Sequence, residues 1–189
     1  MYRAAFLDRD GVINVDHGYV HAVDEFEWVS GVLEAARILA DAGFLLVVVT
    51  NQSGIGRGYY TERDFAKLTS WMKAAFKSAG APLAGVYFCP HHPEKALPEY
   101  RIDCNCRKPR PGMLLLAAKE LNIDLSQSIM FGDKPGDCTA GKAAGCPERV
   151  LLGTNGTVMP VISEAPDATR TAKSLAEAVA APWFKDFVK

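Results

Sequence analysis

The sequence predicts an α/β fold of three layers, a parallel sheet with helices on both faces. Two observations carry this reading. Short apolar runs alternate along the whole chain with segments of helical spacing, the pattern of successive strand and crossover helix units. Three of those runs stop abruptly in polar clusters: Asp8-Arg9-Asp10-Gly11, Thr50-Asn51-Gln52-Ser53-Gly54 and Gly132-Asp133. Short apolar runs closed by turn residues read as buried strands.

Taken in order, residues 4–7 form the first strand and residues 16–28, polar and aromatic without a period, a loop. Residues 32–42 place apolar side chains at 32, 33, 36, 39 and 40, and Gly43 stops that helix. Residues 44–49 are the second strand. Thr61-Glu62-Arg63-Asp64 opens a helix with Phe65, Leu68, Met72, Ala75 and Phe76 on one face, and Gly80 ends it. A short strand at 86–88 leads into a segment, 90–111, too rich in proline for a helix. A helix at 113–121, a strand at 128–131, a short helix at 138–144 and a strand at 149–152 follow. An alanine-rich helix at 172–181 closes the chain.

With 189 residues, the chain is expected to form one domain over 1–189, with the motif-bearing part at about 4–155 and no large cap domain. Apolar residues at 49% and charged residues at 23% exclude a disordered chain. A net charge of −1 supplies no basic field for nucleic acid or anionic membrane. The longest apolar run, 44–49, cannot span a bilayer. No secretory signal is evident, so a cytoplasmic protein acting as a monomer is expected. Five cysteines in that setting are read first for metal or thiol chemistry.

In an α/β sheet, ligands bind beyond the carboxyl ends of the strands, where the three polar clusters lie. Asp8 and Asp10 fall on one side of an extended chain and repel each other unless a cation or proton intervenes. An all-oxygen site suits Mg²⁺, with Asp133 completing it. One carboxylate could attack phosphorus while the other protonates the leaving oxygen and later activates water. Read alone, Asp-Arg-Asp-Gly could equally cap a turn. Thr50 and Asn51 offer a hydroxyl and backbone N–H groups for a phosphate oxygen, and Arg107 and Lys108 offer cations to balance a transferring phosphoryl group.

A second constellation, Cys89-Pro90-His91 and Cys104-Asn105-Cys106, has the pattern C-x-H-x12-C-x-C. Three thiolates and one imidazole close a tetrahedral shell, so a zinc ion there would be structural. It would pin the proline-rich loop at 89–106 and, with it, Arg107 and Lys108. His92 is an alternative imidazole, and free thiols are the plain alternative. Cys138 and Cys146 stand apart and read as packing residues.

These residues together resemble the haloacid dehalogenase superfamily of phosphohydrolases, a Rossmann-like fold. Phe6-Leu7-Asp8-Arg9-Asp10-Gly11-Val12 matches its first motif, Thr50 its second, Lys108 its third, and Gly132-Asp133 with Asp137 its fourth. The zinc loop is similar to that of the histidinol-phosphatase-like branch. Asn14-Val15-Asp16-His17-Gly18-Tyr19-Val20 favours the sugar-bisphosphate phosphatases of that branch over its histidinol-phosphate enzymes.

The resemblance implies that Asp8 is the nucleophile and Asp10 the acid/base, and that Mg²⁺ is held by the Asp8 carboxylate, the Asp10 carbonyl and Asp133. Thr50 and Lys108 would stabilise the phosphoryl group. Asp16, His17, Gly18, Tyr19, Asn51, Gln52, Ser53 and Arg107 would line the site of a small sugar phosphate, and Lys134 would brace the metal aspartate. A role in making nucleotide-activated sugars for cell-surface glycans follows. The alternatives are histidinol phosphate or another small phosphomonoester, and, remotely, a non-catalytic zinc-containing module that binds phosphorylated ligands.

Overall fold

A computed structural model of the chain describes residues 1–188. Six parallel strands form one sheet in the order β3-β2-β1-β4-β5-β6. They are β1 (Arg3–Leu7), β2 (Phe44–Asn51), β3 (Leu83–Cys89), β4 (Ile129–Gly132), β5 (Glu148–Leu152) and β6 (Arg170–Ala172). The helices are α1 (Val32–Asp41), α2 (Ser53–Gly56), α3 (Glu62–Ser78), α4 (Gly112–Leu121), α5 (Pro135–Ala144), α6 (Leu175–Ala180) and α7 (Pro182–Phe187).

Strand periodicity decides the layers. Successive side chains of β1 point to opposite faces. Ala5 and Leu7 pack with Leu46, Val48 and Phe131 against α1, α3, α6 and α7, through Leu39, Met72, Phe76, Leu175 and Phe184. Ala4 and Phe6 pack with Val47, Val49 and Met130 against α4 and α5, through Met113, Leu114, Ala117 and Ala140. Both faces of β1 are therefore dry, which is why it reads as a continuous apolar run.

β1 pairs with β2 on one side, Leu7 opposite Val48, and with β4 on the other, Leu7 opposite Phe131. Strand order reverses there, and crevices at such switch points hold ligands. α3 begins with a reciprocal cap: Thr61 Oγ1 accepts the Asp64 N–H, and the Asp64 carboxylate accepts the Thr61 N–H.

The structure departs from the expected elements in three places. β3 starts at Leu83 rather than 86, because Leu83 and Gly85 pair with Leu46 and Val47 of β2 across a register shift that takes in Ala84. One turn of helix, α2, follows Gln52, where a glycine-rich tetrapeptide gives no helical pattern. The expected helix at 172–181 is present but shorter, as α6: Ala172 ends the edge strand β6, where it pairs with Leu152, and Ser174 caps the helix that follows, with α7 beyond it. Among the described residues no helix is long and apolar enough to cross a membrane.

Candidate active site

The carboxyl ends of β1, β2 and β4 surround a cavity of about 370 Å³. Its wall includes Asp8, Asp10, Asp16, Gly18, Tyr19, Asn51, Gln52, Ser53, Arg107, Lys108 and Lys134. Two glycines allow this convergence. Gly11 turns the chain after β1 with φ +87°, and a Cβ there would stand 2.3 Å from Asp133 Oδ2. At Gly132 a Cβ would stand 2.2 Å from the Asp137 side chain.

Asp8 is buried and follows β1 directly. Its Oδ1 accepts the Arg9 N–H at 2.8 Å and meets Lys108 Nζ at 3.0 Å. Both contacts fall on one oxygen, leaving Oδ2 for a reacting atom. Burial pushes the Asp8 carboxyl up to about 7 against the pull of Lys108, with Asp137, Asp133 and Asp10 adding repulsion.

Lys108 also meets Asp137 Oδ1 at 2.6 Å and donates to the Val49 carbonyl at 2.8 Å. Burial opposes its charge, but Asp137 and Asp8 outweigh burial and hold the ammonium above its ordinary value. Asn51 holds the same loop by its backbone: Nδ2 donates to the Lys108 carbonyl at 3.1 Å, and Oδ1 accepts the Lys108 N–H at 3.0 Å.

Asp10 is held differently. Arg9 and Asn14 donate to its Oδ1 at 2.8 and 3.1 Å, and Gln52 Nε2 donates to its Oδ2 at 2.9 Å. The Gln52 amide is oriented in turn by Tyr60, whose hydroxyl donates to Gln52 Oε1. Thr50 is buried and does not itself line the cavity, its Oγ1 accepting a second Gln52 Nε2 contact at 2.9 Å. His17 stands apart from the cavity wall, its exposed ring 2.9 Å from Glu27. Tyr19 takes a left-handed backbone, φ 54°, and packs edge-on against Tyr59.

Carboxylate oxygens of Asp8, Asp133 and Asp137 lie within 4.8 Å of one another. Buried Asp133 Oδ1 has no hydrogen-bond partner, while Oδ2 accepts from Thr154 at 3.0 Å. Burial raises the Asp133 carboxyl to about 6. Three close carboxylates with one orphaned oxygen fit a hard divalent cation such as Mg²⁺. The Asp10 side chain lies outside this trio, since Arg9, Asn14 and Gln52 occupy it.

The second cluster lies at the end of β3. Cys106 Sγ is 3.0 Å from Cys89 Sγ, 3.1 Å from Cys104 Sγ and 3.4 Å from His91 Nδ1. Three thiols and an imidazole converging on one point fit a tetrahedral zinc site. His92 is turned away, its Nδ1 accepting the Glu94 and Lys95 N–H groups. Arg107 follows Cys106 directly and donates to the His91 carbonyl at 3.3 Å. Cys138 and Cys146 are buried within the packing, as expected. Arg110, on the same loop, pairs with Asp103 at 2.8 Å.

Tyr60 and Asn155 are site neighbours that sequence reasoning missed. Both reach the site from segments without a motif, so only folding reveals them.

The sequence profile of the haloacid dehalogenase-like hydrolases matches residues 2–145. A D-glycero-β-D-manno-heptose-1,7-bisphosphate 7-phosphatase of Yersinia pestis is 52% identical over 161 residues, covering 85% of this chain and 84% of that protein. The protein of the same name from Escherichia coli K12 is 51% identical over 164 residues, 87% and 86% of the two chains. The crystal structure of D,D-heptose 1,7-bisphosphate phosphatase from B. bronchiseptica, complexed with magnesium and phosphate, superposes with a TM-score of 0.81. It is 30% identical and covers 97% of this chain and 99% of that one.

Proposed function

The chain belongs to the haloacid dehalogenase-like hydrolases, and we propose that it is a Mg²⁺-dependent phosphatase removing the C7 phosphate of D-glycero-D-manno-heptose 1,7-bisphosphate. The observation that carries this reading is the placing of Asp8 and Asp10 on one cavity with Lys108, Asp16, Gly18 and Tyr19. Relatives above 50% identical over most of their length carry the heptose name. The product, heptose 1-phosphate, would feed nucleotide-activated heptose for lipopolysaccharide core. We read residues 1–189 as one catalytic domain working in the cytoplasm.

In the proposed mechanism, Asp8 Oδ2 attacks the C7 phosphorus and the P–O bond to the sugar breaks. Asp10 gives its proton to the departing sugar oxygen. The product on the protein is an aspartyl-phosphate. Asp10 then takes a proton from water, whose oxygen attacks phosphorus and releases Asp8 and inorganic phosphate. Lys108 balances charge on the phosphoryl oxygens, Thr50 lies beneath them, and Asn51 fixes Lys108. Asp8, Asp133 and the Asp10 carbonyl would hold Mg²⁺, with Asp137 beside them, and the ion would offset the negative charge gathered there. Arg107, with Asp16, Gly18, Tyr19, Gln52 and Ser53, would meet the sugar and its distal phosphate. Zinc at Cys89, His91, Cys104 and Cys106 would be structural.

The test is a comparison of kcat/KM for heptose 1,7-bisphosphate and histidinol phosphate, with product analysis. Heptose 1-phosphate and one equivalent of phosphate are expected, with preference for the heptose ester by about 100-fold or more. Equal or better turnover of histidinol phosphate would overturn the substrate assignment while leaving the phosphatase chemistry in place.

A further inference from the structure

Two residues just beyond β5 tie together three parts of the site. Thr154 Oγ1 donates to Asp133 Oδ2 at 3.0 Å. The Asn155 N–H donates to the Gly11 carbonyl, in the turn that follows Asp10, at 2.9 Å. Asn155 Oδ1 accepts the Asp16 N–H at 2.7 Å, across 139 residues of chain. Asn155 makes both bonds from a left-handed backbone, φ 61° and ψ 15°. Asparagine tolerates that conformation better than most side chains, so backbone and amide both serve the contact.

The anchored residue opens the loop that faces the cavity. Asp16 Oδ1 accepts the Gly18 N–H at 3.0 Å, and its Oδ2 lies 3.5 Å from Lys134 Nζ. Gly18 and Tyr19, both at positive φ, follow directly. A single side-chain oxygen on the opposite flank of the site thus sets where this loop begins, while the same residue's N–H grips the catalytic turn. We propose that Asn155 is a positioning residue for substrate selection, fixing the loop at 16–19 against the Asp8–Asp10 turn so that it meets the sugar. This rests on the heptose bisphosphate reading given above. Asn155 touches no reacting atom. Its effect should fall on recognition of the sugar and leave phosphoryl transfer alone.

Asn155→Gly isolates the side chain, because glycine keeps the left-handed backbone and the bond to Gly11 while deleting only the acceptor. Asn155→Asp keeps an acceptor oxygen. Both variants would be measured with heptose 1,7-bisphosphate and with p-nitrophenyl phosphate, alongside hydrogen exchange of the peptide covering residues 15–20. Asn155→Gly should raise KM for the heptose ester about fivefold or more, the worth of one well-made hydrogen bond. Its kcat, and its kinetics on the aryl ester, should stay within about twofold of wild type. Exchange at 15–20 should quicken, and Asn155→Asp should stay nearer wild type on every reading. Equal losses on both esters, or unaltered KM and exchange, would overturn the proposal. A wild-type enzyme with no preference for the heptose ester would count against the function itself. The exchange rate would still decide the latch: faster exchange sustains it, unaltered exchange overturns it.

Discussion

At the scale of single residues, Asp8 and Asp10 are neighbours in sequence with opposite surroundings. Asp8 meets Lys108 and two further carboxylates, while Asp10 is grasped by Arg9, Asn14 and Gln52. In the proposed mechanism that difference suits Asp8 to the nucleophile's part, which needs one free oxygen, and Asp10 to the acid/base's, which needs a fixed direction. Asp8→Asn preserves size and removes the nucleophile, so turnover should fall by about three orders of magnitude or more with the fold intact. Steady-state kinetics with circular dichroism would check it, and near-normal turnover by clean protein would sink the assignment. Tyr60 acts one step further out. Burial pushes its phenol up to about 12, so it remains an O–H donor to Gln52 at any working pH. Tyr60→Phe frees the Gln52 amide to rotate away from Asp10. We expect kcat to fall about 10-fold with KM little changed, since general acid/base catalysis depends on the direction of the proton donor. A rise in KM alone would show that Tyr60 serves binding.

At the scale of the element, the segment from Cys89 to Lys108 joins β3 to the active site with only one short turn of helix, Pro98–Tyr100. Backbone hydrogen bonds of a sheet or helix cannot hold such a segment, and a metal cluster can. Burial pushes the Cys89 thiol up, with the hydrogen bond to Cys106 adding to it. Cys104→Ser should lower bound zinc and loosen the loop that carries Arg107 and Lys108. Metal analysis of the purified variant, together with proteolysis of residues 90–106, would check both effects. Wild-type protein that holds no zinc when its thiols are protected would refute the structural role.

At the scale of the whole molecule, two side-chain clusters of different chemistry could each hold a metal: the carboxylates of Asp8, Asp133 and Asp137, and Cys89, His91, Cys104 and Cys106. Oxygen donors at Asp8, Asp133 and the Asp10 carbonyl should exchange Mg²⁺ freely, and thiolates should keep zinc. Mild EDTA should therefore abolish activity, and added Mg²⁺ should restore it while zinc content stays constant. Activity that survives EDTA would argue against the Mg²⁺ site. The sequence by itself determined the sheet and the edge that carries the candidate site, because buried parallel strands need apolar runs and a polar cluster marks where each run stops. Asp8, Asp10, Thr50 and Asp133 were legible for that reason, Lys108 through its pairing with Arg107 and the motif it resembles, and the cysteines through their spacing. What sequence could not show depends on contacts between distant segments. Leu83, Gly85 and Thr171 lie in strands because neighbouring strands pair with them. His17 turns to Glu27, and Asp16 is fastened by Asn155, 139 residues away. Local pattern records which residues avoid water. Only the closed fold decides which polar groups meet once the water is gone, since each buried donor must then find its acceptor wherever the chain has brought one.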